Sequence, residues 1–574
     1  MDYQQTDFKQ NFAEWQSTSA FNTYWQYSYV NRSAFYANIN GTYRSYMTRW
    51  VQNCLWWYDG WVPYFHNNSQ GIFSTKLATA LCNGAAKKVV GGRIYFKTKN
   101  KEKLEKDEKG EYKINPALAF IASEWSDKAG FPQEVKKAIA FSASAGFALL
   151  KLDRQSDGLT VKALRADSFY PVIGFNGEII DLTCFIRDFT NITTVGGQDH
   201  FTNYYVVEHR FFADFKRFDG SIIHNAPQVT YEIRQTTGII TNSTDYDGNG
   251  QKIEFASLPK TIRSKIGKAF SGIQFDKPIL LPFVDSLGAE IINWSDFVSA
   301  IPELPFGDSL LYNILPYLQS YDYYWSAFNT DMYLGRGRVL VDKEMQSPNA
   351  RAQNSSDYNT GLDSMMFTQV RRSNGLGETM QPTPIQFDLR SQSWEQIRTM
   401  IIQNIAINTG MNLASIASFL NDTNAARTAR EISTEESETA LFVDDKREII
   451  ERPLNRILKT VTKYYGYTDD IVIRWSSAGM SNIYARSEMI ATGLASGFIS
   501  PQKAVQMFNQ DLDEYQLQEE FDNIKASKDE QMRNQNFGSD LFNDKDYFSE
   551  GEDATDTPEE DNKGGVVEDE DGIK

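Results

Sequence analysis

The chain has 574 residues and a net charge of −17, with 41% hydrophobic and 23% charged residues. That length implies several structural units with ample core and no need of disulfide staples. No 18-residue stretch is free of polar interruption, so no transmembrane helix is expected. The start, MDYQQTDFKQNFAEW, lacks a basic n-region and an apolar h-region, so no signal peptide is expected either. Cys54, Cys82 and Cys184 are widely spaced and His66, His200, His209 and His224 are few, which argues against a disulfide framework or a zinc site. The reading is an intracellular, soluble protein without metal or cofactor. Residues 551–574 hold ten carboxylates against two lysines, a net of −8. An acidic chain of this kind lacks the basic footprint of a sequence-specific DNA binder.

In chain order, the first 65 residues contain 20 aromatics and six of the eleven tryptophans. Such a run suits a layer of anchors packed on a neighbour or a protein–protein interface; a carbohydrate platform would need isolated, exposed rings. STKLATALCNGAAKK (74–88) has helical spacing, GGRIYFKTKN that follows is strand-like, and KEKLEKDEKGE is a self-neutralising solvated hairpin or loop. Residues 115–145 are helical. Then come about a hundred residues of short, mostly antiparallel strands punctuated by Gly, Asp and Asn. In TDYDGNGQKIEFA (244–256), Asp245, Asp247, Asn249 and Gly250 follow a calcium-loop pattern, but position twelve is Ala256. A hairpin turn is the better reading.

Leu311, Ile314, Leu318, Tyr321, Trp325, Phe328 and Met332 recur at spacings of three and four, giving a helix over about 308–334 that Pro316 kinks or restarts. Residues 336–392 are a small β-containing module. Ser393 then caps a second helix with Trp394, Ile397, Ile401 and Ile405 on one face and Gly410 as its stop. A weakly polar connector (411–427) leads to a long helix over 428–465, interrupted at Pro453, with a buried stripe at Ile450, Leu454, Ile457, Leu458 and Val461. DDIVIRWSS is a strand. Ser500 and Pro501 open another helix as N-cap and N1, and a last amphipathic helix carries Leu517, Phe521 and Ile524. Beyond about 535 the chain is polar and acidic and is expected to be disordered. There is no phosphate-binding GxxxxGK[ST], no GxSxG, no HExxH and no kinase motif set, so no catalytic activity is expected.

Four motifs in this order resemble the portal proteins of tailed bacteriophages, those with long non-contractile tails in particular. The first is NIAINTGMNLASIASFLNDTNAARTAREISTEESETALFVDDKREIIERPLNRIL, a helix ending in Gly, a variable connector, then Thr428-Ala429-Arg430-Glu431-Ile432 opening a long helix. The second is FGDSLLYNILPYLQSYDYYWSAFNTDMYLGRGRVLV, with Gly307, Ser309, mid-helix Asp322 and Arg336 in the family's places. ADSFYPVIGFNGEI and the late GFISPQKAVQMF are the others. The aromatic start and the acidic end depart from the family pattern.

The resemblance, over roughly 70–530, implies an α+β, portal-type fold. It has an α/β wing (1–306), two stem helices (307–334 and 393–410) and a small β-containing clip (335–392) inserted between them. A tunnel loop (411–429), a long helix with a return strand (430–480), helical crown (481–535) and acidic tail (536–574) follow. It further implies a homo-oligomeric ring, usually of twelve, at one capsid vertex of the virion, assembled in the host cytoplasm. Double-stranded DNA would pass through non-specifically during packaging and ejection. The terminase large subunit, a head-tail adaptor, and the major capsid and scaffolding proteins would be partners; no membrane is involved. Candidate channel-facing residues are Asn412, Ser415, Asn421, Asp422, Thr423 and Asn424. Candidate clip residues facing the adaptor are Arg336, Arg338, Lys343, Arg351, Arg371 and Arg372. The runners-up are another virion component, an adaptor or coat subunit, and an aromatic-rich carbohydrate-active enzyme, which would need paired carboxylates in a cleft.

Overall fold

The computed structural model describes residues 50–60, 72, 74–92, 94–99, 115–297 apart from 156–157, 175–176, 196–197, 218, 240–245 and 284, then 304–334, 338–342, 366–369, 383–385, 391–413, 416, 429–475 and 483–541 apart from 510–511 and 513. Most of the aromatic start, the lysine-rich run at 100–114, most of residues 335–390 and of the connector, and the end of the chain lie outside these residues.

One core joins elements far apart in sequence. Helices α1 (Gln52–Asp59), α2 (Leu77–Val90) and α3 (Phe131–Ala145) pack together. Small residues allow it: Ala78, Ala85 and Ala86 of α2 and Ala138 and Ala143 of α3 are fully buried or nearly so. Ahead of α3, Asn115 caps the turn Pro116–Ala119 by accepting the Ala117 and Leu118 amides, and a π-helical turn follows at Phe120–Trp125. Against α3 lies a three-stranded antiparallel sheet in the order β10 (Ala289–Asn293), β2 (Phe147–Gln155), β3 (Gly158–Arg165). Arg165 holds α1 to it through Asp59 at 2.8 Å, its guanidinium also pairing with the neighbouring Asp167 at 2.5 Å.

The β-rich region is thus two sheets rather than one. The second runs β4 (Phe169–Ile173), β5 (Ile179–Val195), β6 (Gln198–Lys216), β7 (Ile222–Ile239), β8 (Tyr246–Ile253), with β9 (Ile279–Leu280) beside β7, all antiparallel. Helix α4 (Lys260–Ala269) covers its far part through Ile262 and Ile266, which join a separate small core with Val206 and Ile233. The DGNG run is not the closing turn. It lies within β8, where Gly248, Asn249 and Gly250 stand opposite Thr236 between the pairs Thr237–Asp247 and Gln235–Gln251. Glycine relieves the crowding of such a bulge.

The two sheets are tied by a buried ionic cluster. Lys151 on β2 lies 2.8 Å from Glu208 on β6; Arg210 reaches Glu208 at 2.6 Å and Asp153 at 2.7 Å. Burial alone would neutralise Glu208. The Arg210 and Lys151 charges instead hold its carboxyl down at about 2, and Glu208 in turn raises Lys151.

Helix α5 (Leu315–Leu334) follows a 3₁₀ turn at Tyr312–Ile314, so Pro316 restarts the helix rather than kinking it. A proline in the first helical turn loses no hydrogen bond. Next come β11 (Arg338–Asp342), β12 (Met366–Gln369) and β13 (Thr383–Ile385). They form a sheet in which β11 pairs parallel with β12 and antiparallel with β13. Helix α6 (Ser391–Thr409) starts before Ser393, which is therefore inside the helix and not its cap. Gly410 ends it at φ 66°.

The long helix α7 (Ala429–Tyr464) continues through Pro453 without interruption. Its expected stripe of Ile450, Leu454, Ile457, Leu458 and Val461 is buried in the main core, which offsets the amide bond that Pro453 removes, a loss costing about 3 kcal/mol. Strand β14 (Ile471–Trp475) pairs antiparallel with β1 (Ile94–Thr98). Helices α8 (Ile483–Ala495), α9 (Pro501–Phe508) and α10 (Glu514–Leu541) finish the fold, and Ser500 caps α9 as expected by accepting the Lys503 amide. The last helix runs to Leu541, past the expected limit of order near 535; its stretch 514–533 is rich in the good helix formers Glu, Gln, Lys, Met and Arg.

Candidate functional site: the helical hairpin and its two ends

The hairpin of α5 and α6 is fastened to the body at one end and carries the β module at the other. The fastening is built from glycine and small polar side chains. Gly146, at φ 95°, ends α3 and presses on Gly307: a Cβ at Gly146 would stand 2.1 Å from the Gly307 carbonyl oxygen, and one at Gly307 only 2.4 Å from that of Ser295. No side chain fits this close backbone approach. Ser309 Oγ donates to the carbonyls of Ala143 and Ser144 and accepts the Leu311 amide at 3.0 Å, while the Leu310 amide bonds the Ala143 carbonyl. Phe147 stacks on Phe306 at 4.1 Å. Gly307 and Ser309 are thus the pivot from which the hairpin leaves the body.

Higher up, Asp322 is buried in mid-helix and accepts the Thr75 amide and hydroxyl at 2.9 and 2.7 Å, fixing α5 to the segment before α2. At the module end, Trp394 Nε1 donates to Asp331 at 2.9 Å, and its ring meets Tyr324 edge-on at 5.6 Å. Asp331 lies near the end of α5 and Trp394 near the start of α6, so this pair draws together the two chain ends that bracket the module.

The outward side of the hairpin is poor in charge. Helix α5 contains no lysine or arginine, and its exposed positions include Gln319, Ser320, Tyr323, Ala327 and Thr330. On α6 the one cation, Arg398, faces Glu395 at 3.5 Å. Ile397, expected on the inner face, is exposed, as are Met400 and Ile407. The other three residues of the expected face do turn inward, Ile405 fully buried and Trp394 and Ile401 partly so, and Ile402 and Ala406 complete it. Water-facing helix surfaces are ordinarily charged, so this one has the character of a surface to be covered.

At the opposite end, where α6 stops at Gly410, there is an open apolar groove of about 590 Å³ between α6, residues 411–413 and α7. Ala406, Ile407, Met411, Leu413, Leu441 and Phe442 line it, with Gln403, Gly410 and Asn412. Of the channel candidates, Asn412 is half-buried at this groove. Ser415, Asn421, Asp422, Thr423 and Asn424 lie outside the described residues. Of the clip candidates, Arg338 opens β11 opposite Ile385. Arg336, Lys343, Arg351, Arg371 and Arg372 lie outside the described residues. The sequence reading did not find the groove or the Asp331–Trp394 clasp. The i, i+7 repeat of Met400 and Ile407, a second apolar stripe on α6, was the available signal.

Among the described residues no helix is long and apolar enough to cross a membrane, and no group of three His, Cys, Asp or Glu could hold a metal ion. The three cysteines are buried and unpaired by disulfide; burial pushes the Cys54 thiol up to about 12.

No family model matches the chain, and no curated protein matches it. Among solved structures, one similar chain comes from the neck of an empty GTA particle computed with C6 symmetry, at 12% identity and a TM-score of 0.38. The match covers 75% of this chain and 89% of that one. Another comes from the neck of a native GTA particle computed with C12 symmetry, at 11% identity and a TM-score of 0.36, with the same coverage. Scores this low carry no argument about this chain, whose mixed α+β architecture stands on its own elements.

Proposed function

We propose that this chain is a phage portal subunit. Copies of it would form a ring of twelve at one capsid vertex, through which double-stranded DNA is packaged and ejected. The observation that carries the reading is the helical hairpin. It is pinned to a large α+β body by Gly307, Ser309 and Asp322, it has a β module inserted between its far ends, and its outward side is nearly free of charge. Those three pinning residues are the ones that the sequence resemblance singles out. An uncharged stem fits both neighbours packed side by side and a duplex that must slide. Each phosphate neutralised by Lys or Arg adds salt-dependent affinity, and several per subunit would arrest the DNA.

In this reading the clip of β11, β12 and β13 meets the head-tail adaptor and the terminase large subunit, the wing faces capsid and scaffolding proteins, and the connector after Gly410 faces DNA. The chain works without cofactor and without catalysis, as a structural virion component. Negative-stain microscopy of the purified full chain tests it. Closed rings with a central hole are expected; monomers, open filaments or shells would overturn the portal assignment.

A further inference from the structure

The groove at the junction of α6 and α7 leaves unusually apolar side chains in the open. Ile407 is 78% exposed and Leu441 73%, on two helices that converge there. Burying such residues is worth about 1.5–3 kcal/mol each, so an available apolar segment would occupy the site.

Such a segment begins next to it. The described chain starts at Trp50, whose ring packs edge-on against Tyr312 at 4.6 Å. Tyr312 belongs to the 3₁₀ turn that lies against α6. Along α6, the stretch from Ile402 in the core to Gly410 at the groove rises only about 12 Å. The eight residues before Trp50, extended, would span about 26 Å. That puts Tyr43 and Tyr46 within reach. Residues 1–49 contain 13 aromatics, more than the segment's own length could bury without a host surface.

Charge agrees with the placement. Residues 31–49 hold Arg32, Arg44 and Arg49 and no acidic residue. Helix α7 between 429 and 446 holds six carboxylates against Arg430 and Lys446, and Asp444 and Asp445 lie exposed one turn beyond Leu441. We propose that the groove lined by Ile407, Met411, Leu413 and Leu441 is the seat of the chain's own N-terminal aromatic segment, residues 31–49, with its tyrosines in the groove and its arginines toward Asp444 and Asp445 of α7. This does not depend on the ring.

The test uses the full chain. Native-state trypsin should cut slowly after Arg44, and Leu441→Glu or Ile407→Glu should speed that cut by about tenfold, equivalent to 1.4 kcal/mol of lost docking. Equal rates in wild type and variants would overturn the proposal. A second arm places cysteines at Tyr46→Cys and Leu441→Cys and joins them with a short bismaleimide. The expected product is a joined peptide within a band of single-chain mass. A ladder of multiples would put the segment on a neighbouring copy, and efficient joining of Phe419→Cys to Leu441→Cys with none from Tyr46→Cys would give the groove to the connector. Either result overturns the assignment.

Discussion

Asp331 and Trp394 stand 63 positions apart in sequence, yet the indole Nε1 of one donates to the carboxylate of the other at 2.9 Å. Everything between them is the end of α5, the β module and the first turn of α6. The bond therefore acts as a clasp at the base of the module, and the rings of Tyr324 and Phe328 back it at 5.6 and 6.1 Å. Replacing Trp394 with Phe keeps most of the ring packing and deletes the donor. A hydrogen bond to a charged acceptor contributes about 1.5–3 kcal/mol, so Trp394→Phe should loosen the module without unfolding the body. Hydrogen exchange should rise in β11 and β13 and stay unchanged in α3 and β2. Equal exchange in the module would show that the clasp does not hold it.

The Gly146–Gly307 approach makes a sharper claim. Gly146→Ala places a Cβ 2.1 Å from the Gly307 carbonyl oxygen and also imposes φ 95° on an L side chain. Gly307→Ala meets Ser295 backbone at 2.4 and 2.6 Å. Neither neighbour is a flexible tip that can move aside. Each substitution should cost about 3 kcal/mol, the upper end for overpacking, read as a lower thermal midpoint of the purified chain. A midpoint within experimental error of wild type for both would show that this close approach does not fasten the hairpin.

How much of this was legible in the sequence depended on range. Local signals located α2, α3, α9 and the inner stripe of α7 well, because spacing, Ser500 as a cap and Pro501 at N1 act within one or two turns. Gly307, Ser309 and Asp322 were marked by resemblance, yet their roles were not readable: each works through partners at Gly146, Ala143 and Thr75 that only the fold brings near. Pro453 misled because the helix's burial outweighs its local cost. Ile397 misled because apolar residues on α6 occupy two faces, one turned inward and one outward. The division of the β region into two sheets was invisible because Lys151 and Glu208, which tie them, read as ordinary alternating charges.

That ionic cluster gives a pH prediction. Glu208 is held at about 2 in the fold against an ordinary value of 4.5. A depressed acid stabilises fully above its unfolded value, and that contribution is lost as pH falls from there through about 2. Wild type should therefore lose stability across that acid window more steeply than Glu208→Gln. At neutral pH the variant should be the weaker, by about 3–5 kcal/mol, because Lys151 and Arg210 stay buried with Asp153 as the remaining carboxylate. Denaturant melts at pH 7 and pH 3 measure both. A constant difference between the two proteins at the two values would mean that Glu208 is not the titrating group.

The connector after Gly410 carries the last prediction. In the proposed ring, one substitution is repeated in every subunit around the DNA. Asp422→Lys with Asn424→Lys would set two new cations per chain where the wild-type stretch 411–427 has one aspartate and one arginine. Aspartate and asparagine are both polar, so exchanging them for lysine removes no apolar contact, and rings should still form. Each phosphate that a new lysine neutralises should steepen log affinity against log salt by about 0.9. Bound DNA would then resist translocation at low salt and be released as salt screens the contacts. Packaging by the double variant should slow or stall at low salt and recover in part at higher salt, while wild type changes little. If the variant packages at the wild-type rate at every salt concentration, this connector does not face DNA in the proposed ring, and the uncharged side of α5 and α6 would be the next candidate for a lining.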